Sequence, residues 1–432
     1  MMSFTKHIRN RRIKRCAFIT ESKQKTEIWL KKKEIIVIIK PKFKGFICTT
    51  AHPKGCARSV KEQISYVQKQ RSIKGPQNVL VIGSSTGYGL ASRIVSTFCC
   101  GASTIGVFFE RPASDNKTAT AGWYNMVEFE KAAKEANCYA KSINGDAFST
   151  AVKEQAIALI KKDLGQIDLV VYSLAAPRRI HPINGETLVS SIKPVGKPFS
   201  SKMIDFHKEK VSEITVEPAT DEEVRQTVGV MGGEDWEMWI EALRDGGVLA
   251  DGATTISYSY IGPEITYPIY REGTIGKAKN DLEFSAKKIN TGLSKLGGKA
   301  FVSVQKALVT QASTAIPGMP LYMSLLFKVM KEKGIHENCI EQIYRLFAEK
   351  LSSSTIPLDE KGRIRLDDWE MREDVQTEVL ALWEKVSTEN VAEVSDVAGY
   401  RNDFFRLFGF GFAGVDYDEE QDIQLDIPSI NG

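Results

Sequence analysis

Two side chains past the middle of the chain carry groups that can act together. Tyr270 and Lys279 lie nine residues apart in Tyr270-Arg-Glu-Gly-Thr-Ile-Gly-Lys-Ala-Lys279. A phenol with an ordinary pKa of about 10 keeps its proton at neutral pH and can donate to an oxygen on which negative charge builds. A nearby ammonium can bind a sugar hydroxyl, and its charge favours the ionised phenol. Tyrosine and lysine at a helix start are also common surface residues, so the pair takes its meaning from its surroundings. A second cluster supplies them. Gly83-Ser84-Ser85-Thr86-Gly87-Tyr88-Gly89 directly follows the apolar run Val79 to Ile82 and opens an amphipathic stretch. Glycines there allow a tight turn and close backbone approach, and the helix start offers free N–H groups and a positive dipole end to a pyrophosphate. Alone, the pattern G-x-x-x-G-x-G is also that of a plain turn between strand and helix; its place after a strand makes it a candidate dinucleotide signature.

The elements that must hold these residues are legible as short β-branched runs alternating with amphipathic segments. The expected strands are Val79 to Ile82, Thr104 to Phe109, Tyr139 to Ile143, Ile167 to Tyr172, Thr254 to Tyr260 and Phe301 to Val309. Helices are expected over Tyr88 to Phe98, Asn125 to Ala136, Thr150 to Leu164, Asp221 to Leu243 and Gly276 to Leu296. Such alternation is the pattern of a parallel sheet covered on both faces, a Rossmann-like, doubly wound α/β fold. Ligands of such sheets sit beyond the carboxyl ends of the strands. At those ends stand Phe109-Glu110, Asp146-Ala147 and Leu174-Ala175. Glu110 can accept both ribose hydroxyls of an adenosine and repel a 2′-phosphate, which favours NADH, although Arg111 beside it weakens the repulsion. Asp146 can bond an adenine amino group, and the small residues after Leu174 let backbone approach the nicotinamide ribose.

Composition excludes other classes. The 432 residues are 42% hydrophobic and 26% charged, ordinary values for a folded protein. Seven cysteines, an odd number with no C-x-x-C pair, argue against a disulfide or zinc scaffold and for a reducing, cytoplasmic setting, and no metal site is expected. No apolar run approaches the ~20 residues needed to span a bilayer. The formal charge is +4, but residues 1–34 hold 11 of the 58 Lys and Arg and 3 of the 54 Asp and Glu. The remainder is mildly acidic, so nucleic-acid binding lacks a basic face. Residues 1–34 therefore read as a basic extension: a tail touching nucleic acid or lipid, a transit peptide, or sequence upstream of the true start. Residues 35–432 read as one Rossmann-type domain, with a Pro- and Gly-rich insertion at 177–219 and a C-terminal helical elaboration at 315–432. The helix Leu321 to Met330 reads as a core helix or as the wall of an apolar ligand site lined by Tyr322, Met323, Leu326 and Phe327. Arg178 and Arg179 read as solvated residues, or as contacts for an acidic protein or a ligand phosphate.

Several motifs together resemble the bacterial V-type enoyl-[acyl-carrier-protein] reductases, a family that includes the trans-2-enoyl-CoA reductases. They are Tyr270-x8-Lys279, Tyr258-Ser-Tyr260 shortly before it, Gly83 to Gly89, Phe108-Phe109-Glu110-Arg111, Ser142 to Phe148, Ser173 to Arg179, Met231-Gly-Gly-Glu-Asp-Trp236 and Val309-Thr-Gln-Ala-Ser313. The likeness runs from about residue 37 to 425. Short-chain dehydrogenases use Tyr-x3-Lys and the smaller enoyl reductases Tyr-x6-Lys, so the spacing is specific. The resemblance implies NADH-dependent reduction of the trans-2 double bond of an enoyl thioester, carried on acyl-carrier protein or CoA, as the last step of fatty-acid elongation. It further implies that Gly83, Ser84, Ser85, Thr86, Gly87, Tyr88, Phe109, Glu110, Asp146, Ala147, Leu174, Ala175, Lys279, Leu308, Val309 and Thr310 hold NADH. Tyr260 would meet the substrate, with Tyr270 as proton donor, helped by Tyr260. Family members begin near a segment like Val37-Ile-Ile-Lys-Pro41, which places the expected start near Ile36 or Val37. A monomer is expected. The rival readings are a ketoreductase on the same scaffold and a dinucleotide sensor without chemistry.

Overall fold

The computed structural model describes residues 35–44, 47–174 and 176–431; the basic extension 1–34 and Ala175 lie outside the described residues. Seven parallel strands form the central sheet: β1 (Asn78–Ile82), β2 (Ser103–Phe108), β3 (Ala140–Asn144), β4 (Ile167–Tyr172), β5 (Leu249–Ser259), β6 (Lys299–Val304) and β7 (Ile364–Arg365). Their spatial order is β7-β6-β5-β4-β1-β2-β3. The order reverses between β1 and β4, and that switch point opens a crevice at the strands' carboxyl ends.

Burial on both faces explains the unbroken apolar runs of the strands. On β1, Val79 and Val81 pack into one core cluster, while Leu80 and Ile82 pack into the other. The helices that matter here are α1 (Pro53–Gln68), α2 (Gly87–Phe98), α3 (Ala121–Glu135), α4 (Thr150–Asp163), α5 (Asp221–Met231), α6 (Glu234–Asp245), α7 (Thr274–Leu293), α8 (Met319–Glu332), α9 (Cys339–Arg345), α10 (Glu373–Lys385) and α11 (Val397–Arg406).

Several elements differ from expectation, among them β5, which begins at Leu249 instead of Thr254. The single helix expected over Asp221 to Leu243 is two, α5 and α6, broken at Gly232-Gly233. The break serves a close approach to α7: a Cβ at Gly232 would lie 2.4 Å from Asp281 Oδ2, and one at Gly233 2.2 Å from Ser285 Oγ. Strand β6 stops at Val304 instead of running to Val309, and residues 305–310 leave the sheet to line the crevice. Helix α3 begins at Ala121, four residues earlier than expected. Strand β7, only two residues long, was not foreseen and extends the sheet edge.

Outside the sheet, two antiparallel hairpins occupy the Pro- and Gly-rich stretch: Arg178–Ile180 with Thr187–Val189, and Phe199–Asp205 with Lys210–Val216. The two ends of the described chain meet, with Ile36–Val37 pairing antiparallel to Gln421–Asp422. Trp123 Nε1 donates to Leu425 O (2.7 Å) and Tyr124 Oη to Ile423 O (2.9 Å), which fixes the returning segment on α3. No helix among the described residues is long and apolar enough to cross a membrane.

Candidate active site

The glycine-rich turn leaves β1 with Gly83 at φ +84° and enters α2 with Gly87 at φ +53°, conformations that favour glycine. A Cβ on Gly83 would sit 2.0 Å from Ser173 O, and one on Gly89 1.9 Å from Gly83 O, so the turn is wedged between two strand ends. The Thr86 side chain makes no capping bond. The first N–H groups of α2 are free of intrahelical partners and face the crevice. Gly83, Ser85, Thr86, Gly87, Tyr88, Phe109, Glu110, Asp146, Ala147, Leu174 and Thr310 line one cavity of about 720 Å3 beyond the strand ends. Ser84 does not offer its side chain there: it is fully buried, with its hydroxyl directed to Val107 O at 3.4 Å.

Glu110 stands at the end of β2, and Ser85 Oγ donates to its Oε1 at 2.6 Å. Burial raises the Glu110 pKa, against the opposing pull of Ser85, Thr120 and Arg111. The loop after β3 is clamped from beneath. Lys153 Nζ donates to Ala147 O and Phe148 O, both at 3.1 Å, and to Asp235 Oδ1 at 2.7 Å. Tyr172 Oη donates to the other Asp235 oxygen (3.0 Å), and Trp239 Nε1 donates to Ala147 O (3.0 Å). This buried network draws on four separate elements, and only the pairing of an interior Lys with an interior Asp betrays it.

Next to this cleft, and sharing Tyr88, Leu174, Thr310 and Ala312 with it, lies a smaller cavity of about 180 Å3 that contains Tyr258, Tyr260, Tyr270, Lys279, Lys306, Leu308, Met319 and Met323. Tyr260 follows β5 directly. Tyr270 closes the short turn that follows, its N–H donating to Thr266 O (2.9 Å), and Lys279 sits on the second turn of α7. Among the described residues the Tyr270 hydroxyl has no hydrogen-bond partner. Its ring meets Tyr260 edge to face, with centroids 4.8 Å apart. Lys279 Nζ donates to Tyr258 O at 3.1 Å, and desolvation lowers its pKa to about 8. The expectation that Lys279 lowers the Tyr270 pKa is not met. Burial, with a contribution from the charge of Glu370, pushes the phenol above its ordinary value.

Glu370, on the turn before α10, is the site residue that sequence reasoning missed. It is fully buried, and its Oε1 accepts from Tyr260 Oη (2.8 Å) and Tyr322 Oη (2.7 Å) while its Oε2 accepts from Ala307 N (2.7 Å). Burial raises its pKa, opposed by these bonds and by the Lys306 charge. Tyr260 lines the small cavity, but its proton is committed to Glu370, so the hydroxyl is not free for its expected part as a helper in proton donation.

Other expected residues fall differently. Val309 lines a third cavity, about 350 Å3, which shares Thr86 and Gly87 with the cleft and Leu308 with the small cavity. Of the four residues expected along an acyl chain only Met323 reaches the small cavity, joined by Met319 and Ile316; Tyr322 bonds Glu370 instead, and Leu326 and Phe327 are fully buried in the core. An apolar cavity of about 540 Å3, lined by Ile47, Cys48, Ala119, Ala121, Phe404 and Phe408 among others, adjoins it through Ile192, Met231 and Ala312. Arg179 is 2% exposed and donates to Gly229 O (2.6 Å) and Glu234 Oε2 (2.7 Å), so it is a structural residue closed to a carrier protein. Arg178 remains exposed at the cleft.

Three family models match the chain: the NAD(P)H binding domain of trans-2-enoyl-CoA reductase over residues 38–115, the trans-2-enoyl-CoA reductase catalytic region over 117–352, and the enoyl reductase FAD binding domain over 358–421. The last segment does not fit a flavin. Its apolar residues Ile364, Leu366, Val375, Val379, Tyr400 and Phe404 are committed to the core. Its Arg363 and Arg365 are paired with Asp359, Glu283 and Asp367. The trans-2-enoyl-CoA reductase [NADH] of Ruminiclostridium cellulolyticum is 60% identical over 394 residues, covering 91% of this chain and 100% of that protein. The enoyl-[acyl-carrier-protein] reductase [NADH] of Flavobacterium johnsoniae is 59% identical over 395 residues, again 91% of this chain and 100% of that one. The crystal structure of Clostridium acetobutulicum trans-2-enoyl-CoA reductase in complex with NADH superposes with a TM-score of 0.88 at 49% identity, covering 90% of this chain and 98% of that chain. With the dinucleotide turn, the Tyr-x8-Lys pair and these likenesses in agreement, the chain belongs to the family of NADH-dependent trans-2-enoyl-CoA and enoyl-[acyl-carrier-protein] reductases.

Proposed function

We propose that this protein reduces the trans-2 double bond of enoyl thioesters with NADH. The observation that carries the proposal is the Tyr270 hydroxyl: on a buried side chain, without a protein acceptor among the described residues, and sharing with Lys279 a cavity that adjoins the dinucleotide cleft. When bound, NADH supplies a hydride to the β-carbon. Gly83, Gly87 and the first N–H groups of α2 hold the pyrophosphate, and Glu110 and Asp146 orient the adenosine. Lys279, with its ammonium fixed by the Tyr258 carbonyl, binds the nicotinamide ribose. Tyr270 donates its hydrogen bond to the thioester oxygen as enolate charge develops, and a proton reaches the α-carbon afterwards. A protonated, desolvated phenol suits that task, because the high pKa keeps the donor loaded and the dry wall strengthens the bond. The acyl chain runs into the 540 Å3 apolar cavity, and the carrier leaves past Arg178.

The same proposal extends to fatty-acid elongation as the setting, the cytoplasm as the location, residues 35–432 as one working unit and a monomer as the active form. The relatives' names support both carriers, so the test supplies both. NADH oxidation followed at 340 nm should proceed with crotonyl-CoA and with crotonyl-carrier protein, and not with an acetoacetyl thioester. Binding of NADH by calorimetry with no turnover of any enoyl thioester would leave only a sensor.

A further inference from the structure

We propose that Glu370 is a positioning residue of the reductase, which acts through Tyr260 to leave Tyr270 as the only phenol free to donate to the substrate. This rests on the reading of the site as an enoyl reductase. The argument starts from a count of protons. Three donors converge on one carboxylate: two phenols on Oε1 and the Ala307 amide on Oε2. A backbone N–H cannot turn round, so it fixes the carboxylate plane. Each phenol has a single proton, and both are engaged. Tyr260 therefore has nothing to offer a thioester oxygen, although it lines the same cavity as Tyr270. What it offers is a rigid ring, packed edge to face on Tyr270 at 4.8 Å.

The anchoring is deep. Gln376 Nε2 donates to Tyr322 Oη (3.2 Å) and to the backbone carbonyl of Glu370 (2.7 Å), which ties the second phenol to the main chain that carries the carboxylate. Lys306, fully buried, donates to Ala307 O (3.1 Å), lies 4.7 Å from the centre of the Phe327 ring and supplies the nearby positive charge. An unpaired carboxylate in this position would be strongly disfavoured, so the arrangement is stable only while its donors remain. The consequence is that residues 358–421, which the flavin reading leaves without a ligand, deliver one side chain into the wall of the reaction chamber.

Glu370→Gln tests the idea. A carboxamide keeps the volume but brings an N–H2 group that must face either the Ala307 N–H or both phenols, so it either gives up the amide that fixes the plane or frees both phenolic protons, and in either orientation the Tyr260 ring loses its fixed anchor. We expect kcat with crotonyl-CoA to fall about ten- to a hundredfold, the range for displacing a reacting group by up to about 1 Å, with the KM for NADH changed less than about twofold. Tyr260→Phe should reproduce most of that loss, and Glu370→Gln added to Tyr260→Phe should cost nothing further, as coupled groups behave in a double-mutant cycle. Additive losses, or coupling to Tyr322→Phe and not to Tyr260→Phe, would overturn the proposal. So would a Glu370→Gln enzyme with full kcat. If that variant does not fold, a Tyr260→Phe enzyme with unaltered kcat is enough to reject it. Wild-type protein that binds NADH and turns over no enoyl thioester would instead defeat the functional reading beneath it.

Discussion

Tyr270→Phe keeps the ring against Tyr260 and removes one donor aimed at the developing oxyanion. Loss of such a donor typically lowers kcat by ~10²–10³. We expect that loss in steady-state kinetics, with little change in KM, because the hydroxyl has no ground-state partner to lose. Lys279 gives a pH signature. Its ammonium, lowered to about 8 by desolvation, is charged below that pH and neutral above it. The KM for NADH should therefore rise as pH climbs through about 8, and Lys279→Arg, which stays charged, should flatten the rise. Lys306 titrates in the same range but faces Glu370 and Ala307 O rather than the ribose position, so the arginine variant separates the two. Tyr270 and Lys279 were named through the family resemblance rather than by their spacing alone, and the fold brings both to one cavity. Glu370 was not: it lies 110 residues beyond Tyr260 among other acidic residues, and a carboxylate shows no sign of burial until the fold brings its donors to it.

The glycine-rich turn owes its placement to near contacts that tolerate no side chain. Gly83 is the sharpest case. Alanine there would need a φ near +84° and a Cβ 2.0 Å from a backbone oxygen of the neighbouring strand end. A strained residue costs on the order of 1–3 kcal/mol, and overpacking against rigid backbone adds about as much again. Gly83→Ala should lose at least about 2 kcal/mol in urea unfolding and bind NADH weakly by calorimetry. Strands were legible because a sheet buried on both faces needs unbroken β-branched runs, and β1 through β4 match their runs within a residue or so. The break between α5 and α6 was not, because the apolar periodicity continues across Gly232-Gly233 and its cause, the flank of α7, is distant in sequence. Two-residue β7 has no period to detect.

At the scale of the molecule, the sheet ignores the segments into which the sequence divides. Strands β1 and β2 lie within 38–115, β3 to β6 within 117–352, and β7 beyond 358, yet all seven pair side by side. Residues 38–115 alone would hold the glycine-rich turn with two strands and an open edge where β4 belongs. We expect that fragment to show little ordered secondary structure by far-ultraviolet circular dichroism and no NADH binding by calorimetry; a folded, binding fragment would mean the cofactor half stands by itself. The doubly wound fold was recoverable because it is written in local runs. The crossing of the C-terminal segment over α3 was not, since it depends on single side chains such as Trp123 and Tyr124 meeting carbonyls some 300 residues later.

The antiparallel clasp of Ile36–Val37 with Gln421–Asp422 sets an order of events. On the ribosome, the earliest strand of the body emerges long before its mate exists, and its hydrogen bonds stay open until nearly the whole chain has been made. Closure of so wide a loop comes late, so a protease added during refolding should nick the residues around Ile36 well after the central sheet has become resistant.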